Sequence, residues 1–160
     1  MQPRRQMRVR SAATHGAAML LASAYCVFHS LAALPLALGV ATLSVLAAAA
    51  IGYGLGGWYP PSGSDRPTFE LLAVPLLVFL GAPLVGAGLF MSAAAVVSQP
   101  EAEENSVFSV YLAVPMTMAY ISLSWPVAIP VFTAAGIAMA RFSRRGSNNS
   151  SKPTPLRGAA

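Results

Sequence analysis

Two histidines, His15 and His29, stand 14 residues apart in a run of apolar residues. On a helix, fourteen steps of about 100° return to within about 40° of the starting face, and the two rings lie about 21 Å apart along the axis. Membrane helices that hold one haem per leaflet use this kind of spacing. Each haem would need a second histidine from another helix, and the chain contains only 2 histidines. A haem-binding redox subunit would therefore need a second copy or a partner to complete the ligand set. The plainer expectation is that both rings are polar residues near the two ends of a span, with no cofactor.

A second set of candidates is Thr117, Tyr120, Ser122 and Ser124, hydroxyls in an apolar segment interrupted by Pro115, Pro126 and Pro130. Broken helices with polar groups nearby are how transporters build a midplane site, so these four could line a polar path. Against this, residues 11–64, 71–100 and 105–140 contain no Asp, Glu, Lys or Arg. Intramembrane carboxylates are the usual couplers of protons and cations, and their absence argues against a proton-driven pump. The chain also lacks a phosphate-binding Gly–Lys loop, a metalloprotease His–Glu pattern and a serine nucleophile elbow. It is not expected to be an enzyme. Met116 and Met118 suggest a soft copper site, but two residues apart on a helix their side chains diverge, so they read as packing residues. Cys26, the single cysteine, excludes an intrachain disulfide and reads as a small buried residue.

Small residues form the third set. Gly52 and Gly56 make a GxxxG pair, and Gly81, Ala82, Gly86 and Gly88 make a small-residue surface further on. Such faces let two backbones approach closely, which drives helix association in lipid. The partner can be another helix of this chain or of a different one.

The elements that carry these residues follow from composition. The chain is 56% hydrophobic and 9% charged, against about 25% charged in a soluble domain. Its long uncharged runs have no polar face for water, so their solvent is hydrocarbon. The fold class expected is all-α, an integral membrane bundle of four transmembrane helices at about 12–33, 36–56, 71–97 and 112–140. The first long run must fold back. Proline disfavours helix before it, so the preferred break is at Leu34–Pro35, with His29–Ser30 as the other candidate. A break at Trp125–Pro126 would give five spans and place the Trp125 ring near mid-membrane, buried or at the break. Trp58 and Tyr59 fit an aromatic belt at the membrane surface. Ser98 and Glu101 have the spacing of a capping box.

Residues 1–10 form a basic flank and residues 141–160 a basic tail, expected to be disordered. Asn148 and Asn149 fit the N-glycosylation pattern, which matters only if the tail faces a lumen. The apolar run after the first arginines is longer than a signal-peptide core, so cleavage is not expected. With four spans, all 10 Lys and Arg lie on one side of the membrane, whereas five spans would divide them equally. The positive-inside rule therefore favours four spans with both termini cytoplasmic, or on the matrix side. The net charge of +5 sits at the chain ends and orients the protein rather than binding nucleic acid.

The leading functional expectation is a non-catalytic accessory, assembly or scaffold subunit of a membrane complex. Its partners would be the lipid bilayer and other membrane helices, in a hetero-complex or a homo-oligomer. The alternative is an oligomeric small-solute transporter or channel, and the third is the haem-binding redox subunit.

Overall fold

The computed structural model describes residues 3–30, 34–59, 68–98 and 105–150. Four helices account for nearly all of them: α1 (Pro3–His29), α2 (Leu34–Leu55), α3 (Thr68–Ser98) and α4 (Asn105–Ser150). All four are long and apolar enough to cross a membrane, over Arg4–His29, Leu34–Leu55, Leu72–Val97 and Tyr111–Phe142. α1 packs against α2 and α4, α3 packs against the same two helices, and α1 meets α3 only slightly across the diagonal. Neighbours run antiparallel: Gly16 faces Ala49 and Gly56 faces Arg8 between α1 and α2, and Gly81 faces Ile51 and Gly86 faces Ser44 between α2 and α3. The result is an up-and-down four-helix bundle.

Size, rather than polarity, distinguishes the inside from the outside. Ala22, Ala48, Ala82, Ala87 and Ala128 are fully buried, while Leu20, Leu46, Leu76, Leu84 and Leu89 are exposed. In water this would be a poor arrangement. In lipid it is stable, because acyl chains solvate leucine as well as a protein core does, and small residues let backbones come close enough for dense dispersion contacts.

Several boundaries differ from the sequence reading. The first turn is at His29–Ser30, the other candidate, where Ser30 N–H donates to the Val27 carbonyl at 3.1 Å. Pro35 lies inside the first turn of α2. A proline is well placed there, since the first-turn N–H groups have no intrahelical acceptor and the fixed φ suits a helix start. α4 is continuous through Pro115, Pro126 and Pro130, so there is no fifth span and no break at Trp125–Pro126. All three prolines sit on the exposed side of the helix, where the distortion disturbs no neighbour. The Trp125 ring is neither buried nor at a break but 56% exposed on the bundle's outer surface.

The flanks differ too. α1 begins at Pro3, so Arg4, Arg5, Arg8 and Arg10 are helical. α4 continues past Ala140 to Ser150, so the first half of the expected disordered tail is helix; residues 151–160 lie outside the described residues. At about 1.5 Å per residue α4 is about 70 Å long, so its ends extend well beyond the hydrocarbon. Ser98 closes α3 rather than opening a helix, and the rest of the expected capping box lies outside the described residues.

Candidate functional site

Three of the buried polar residues, Ser11, His15 and Ser23, lie along one edge of α1. Ser11, His15, Met19 and Ser23 follow each other at four-residue intervals, and Cys26 continues the line; all five are buried. His15 is 0% exposed. Its Nδ1 lies 2.8 Å from the Ser11 carbonyl oxygen. A carbonyl can only accept, so Nδ1 carries the ring hydrogen and Nε2 is left as an acceptor. Tyr59 fills that role, its phenol donating to Nε2 at 3.3 Å. Gly52 makes room: a Cβ there would lie 3.2 Å from the His15 Cβ. The Phe132 ring covers another side at 6.4 Å between centroids.

This cluster ties the segment after α2 to α1. Burial pushes the Tyr59 phenol above its ordinary value, so it remains a donor throughout the neutral range. The stabilisation is complete below the unfolded phenol's pKa of about 10 and is lost as pH rises toward the higher folded value. Tyr59→Phe leaves the ring in place and removes one buried hydrogen bond. We expect a loss of about 1 kcal/mol and faster proteolytic cleavage after α2, measured on the purified protein. Unchanged cleavage would show that the bond does not hold the segment.

His29 is in a different environment. It is exposed at the end of α1, tilted against Tyr25 at 4.4 Å and edge-on to Phe28 at 5.4 Å between centroids. The two histidines therefore do not form a pair of equivalent ligands. Both His15 nitrogens are engaged within the chain, and a haem iron at Nε2 would have to displace Tyr59. Among the described residues no group of His, Cys, Asp and Glu is placed to hold a metal ion.

Of the four candidate path residues, three face inward. Tyr120 is buried at the α1–α4 seam, its phenol oxygen 2.6 Å from Ser23 Oγ. The phenol also lies 3.3 Å from the Met19 sulfur. Sulfur only accepts, so the phenol hydrogen points to Met19 and Ser23 donates to the phenol oxygen. The Cys26 thiol donates to the Tyr120 carbonyl at 3.6 Å. Ser124 donates weakly to the Ile121 carbonyl at 3.5 Å. Thr117 donates to the Ala113 carbonyl at 2.7 Å, with the Pro83 carbonyl of α3 at 3.5 Å. Ser122 is exposed on the opposite face, as a 140° step from Thr117 requires at about 100° per residue. Tyr120 and Thr117 thus reach α1 and α3 while Ser124 bonds within α4, and Met19, Ala22, Val78 and Met139, all 0% exposed, help fill the core. Met116 is half-buried and Met118 exposed, pointing apart.

The small residues divide in the same way. A Cβ on Gly52 would lie 3.1 Å from the Ser11 carbonyl, and one on Gly56 would lie 2.8 Å from the Arg8 Cα. A Cβ on Gly86 would lie 2.6 Å from the Ser44 backbone nitrogen. Ala82 is fully buried. Gly81 has only the end of Ile51 within reach, at 3.7 Å, and Gly88 has nothing within 4 Å. Gly52, Gly56 and Gly86 are thus packing positions between helices of this chain, and Gly88 alone of the six faces open space. Ser44 Oγ, beside Gly86, is buried with no hydrogen-bond partner among the described residues. Two clefts open between helices toward lipid. The larger, about 530 Å³, lies between α3 and α4 and is lined by Leu72, Leu76, Phe79, Ile129 and Phe132 among others. The smaller, about 180 Å³, reaches Cys26 and Tyr120 from the α1–α2 turn.

Ser11 and Ser23 were not singled out from the sequence, and Tyr59, expected in an aromatic belt with Trp58, is instead buried against His15 while Trp58 stays exposed. The four-residue register of Ser11, His15, Met19 and Ser23 is a readable signal of one buried edge, whereas Tyr59 is brought to His15 only by folding.

These features define a multi-pass integral membrane protein whose interior polar groups connect its own helices. Comparison with protein-family models, with curated proteins and with solved structures gave no match.

Proposed function

We propose that the chain is a non-catalytic accessory, assembly or scaffold subunit of a membrane complex, with both termini on the cytoplasmic or matrix side. One observation carries this reading. Ser11, His15, Ser23, Thr117 and Tyr120 all make hydrogen bonds within the chain, while the outside is leucine-rich and the spans lack carboxylates. A bundle with this distribution holds its own shape and offers neighbouring helices a rigid apolar surface. Orientation rests on the basic flanks at both ends of the chain.

The glycines packed inside the chain cannot test this proposal, because enlarging them would disrupt the subunit itself. Gly88 can, since a Cβ there meets nothing within 4 Å among the described residues. Extraction in mild detergent should recover the protein with different proteins in a fixed ratio. Gly88→Leu is expected to leave its helicity and unfolding midpoint unchanged, and it reports whether α3 is the docking face. Recovery of the wild type alone, as a defined homo-oligomer, would remove the support for an accessory subunit.

The second reading is an oligomeric small-solute transporter or channel. It draws on Thr117, Tyr120 and Ser124 facing the interior. Solute flux in liposomes that Thr117→Val abolishes, with the bundle intact, would favour it.

A further inference from the structure

One end of the bundle carries a concentration of arginine on two adjacent helices. The first turns of α1 hold Arg4, Arg5, Arg8 and Arg10, and the last turns of α4 hold Arg141, Arg144 and Arg145; neither helix contains an Asp or Glu. The two helices pack against each other along the α1–α4 seam. The Arg10 guanidinium lies over the Phe142 ring, 5.1 Å from its centroid. The uncharged run of α1 begins at Ser11 and that of α4 ends at Ala140, so the contact marks the level where hydrocarbon gives way to headgroups. Arg141, the chain neighbour of Phe142, is exposed at the same level, as is Arg10.

The cation–π contact has a geometric consequence. A cation–π contact uses no N–H group as a hydrogen-bond donor to oxygen, so the guanidinium keeps its N–H groups for an oxygen ligand. An edge of parallel N–H donors matches the oxygens of a phosphate. Arg8 is separately held near the Tyr53 ring, at 5.9 Å, on the α2 side, so Arg10 is the arginine of α1 committed to the seam. Glu70 lies in the first turn of α3, the helix diagonal to α1.

We propose that the α1–α4 seam at this end is a binding site for an anionic phospholipid, with Arg10 and Arg141 donating to its phosphate and Phe142 holding Arg10 in place. The ligand is set by charge and level. The seam lies where phosphates lie. Seven arginines on two acid-free helices attract a headgroup of net negative charge and repel the cation of a zwitterionic one. The lipid's acyl chains then run down the exposed leucine-rich surface. This site does not depend on whether the protein has a protein partner.

The test uses the full chain in nanodiscs of phosphatidylglycerol and phosphatidylcholine, with a photoactivatable headgroup analogue of either lipid. With wild type, phosphatidylglycerol should label the peptides containing Arg10 and Arg141 about tenfold more than phosphatidylcholine does. R10Q/R141Q should lower that labelling about tenfold, whereas R4Q/R5Q, with the same loss of charge, should change it less than about twofold. Equal losses in the two double variants would reduce the site to diffuse charge and overturn the proposal. Equal labelling by the two lipids, or labelling centred elsewhere, would also overturn it. Displacement of the label by inorganic phosphate would assign the seam to a soluble phosphate instead. If R10Q/R141Q loses helicity, Phe142→Leu keeps every charge and should still weaken the Arg10 label, and the wild-type label positions decide the matter independently of any variant.

Discussion

Gly86→Leu is expected to separate α3 from α2. A Cβ at this position would lie 2.6 Å from the Ser44 nitrogen and 2.8 Å from its Cα. Those are backbone atoms of a continuous helix, so they cannot rotate aside as the end of a side chain can. The helices must move apart along the contact, and the close dispersion contacts around it are lost with no hydrophobic gain to offset them in lipid. We expect a cost of about 3 kcal/mol or more, the upper range for overpacking. Loss of helicity during titration with a denaturing detergent measures it. Gly88→Leu, two residues on and with nothing within 4 Å, is the matched control and should change the midpoint by less than about 0.5 kcal/mol. Coincident curves for Gly86→Leu and wild type would show that α2 and α3 do not pack as described.

The second large effect concerns the α1–α4 seam. Tyr120→Ala removes a buried ring and leaves the Ser23 hydroxyl and the Met19 sulfur without their partner. Large aromatic-to-alanine changes in cores cost about 3–5 kcal/mol. Tyr120→Phe keeps the volume and loses only the hydrogen bonds, which in membrane proteins average about 0.6 kcal/mol each. Ser122→Ala, on the exposed face, should have no measurable effect. The chain supplies its own reporter. Cys26 is the single cysteine, 4% exposed, and its thiol bonds to the Tyr120 carbonyl. Maleimide should label it slowly in wild type, Tyr120→Phe and Ser122→Ala, and much faster in Tyr120→Ala. A Cys26 that stays protected in Tyr120→Ala would mean that the tyrosine is not what closes the seam.

These two variants mark where the sequence stops being informative. The four-residue spacing of Ala82 and Gly86 marks a small-residue face, but nothing in the sequence says that the backbone it meets is that of Ser44. Thr117, Tyr120 and Ser124 recur at the spacing of one helix face and Ser122 does not, so that division was available from periodicity. The helix that Tyr120 meets was not, because Ser23 lies 97 residues away.

By itself the sequence determined that the protein is helical and membrane-embedded, and its charge distribution favoured four crossing segments over five. It also determined that no charged group lies within their cores. Those properties depend on the choice of solvent, and composition alone selects hydrocarbon over water for segments of this length. Only the tertiary structure decided which face of each helix is inside, where the first turn falls, that α4 passes its prolines unbroken, and that His15 is enclosed while His29 is exposed. The physical reason lies in the solvent as well. In water an apolar stripe shows which side of a helix is buried. α2 and α3 are apolar all round, so their orientation is set by close fits between small residues and by a few shared hydrogen bonds, which exist only once the helices have met.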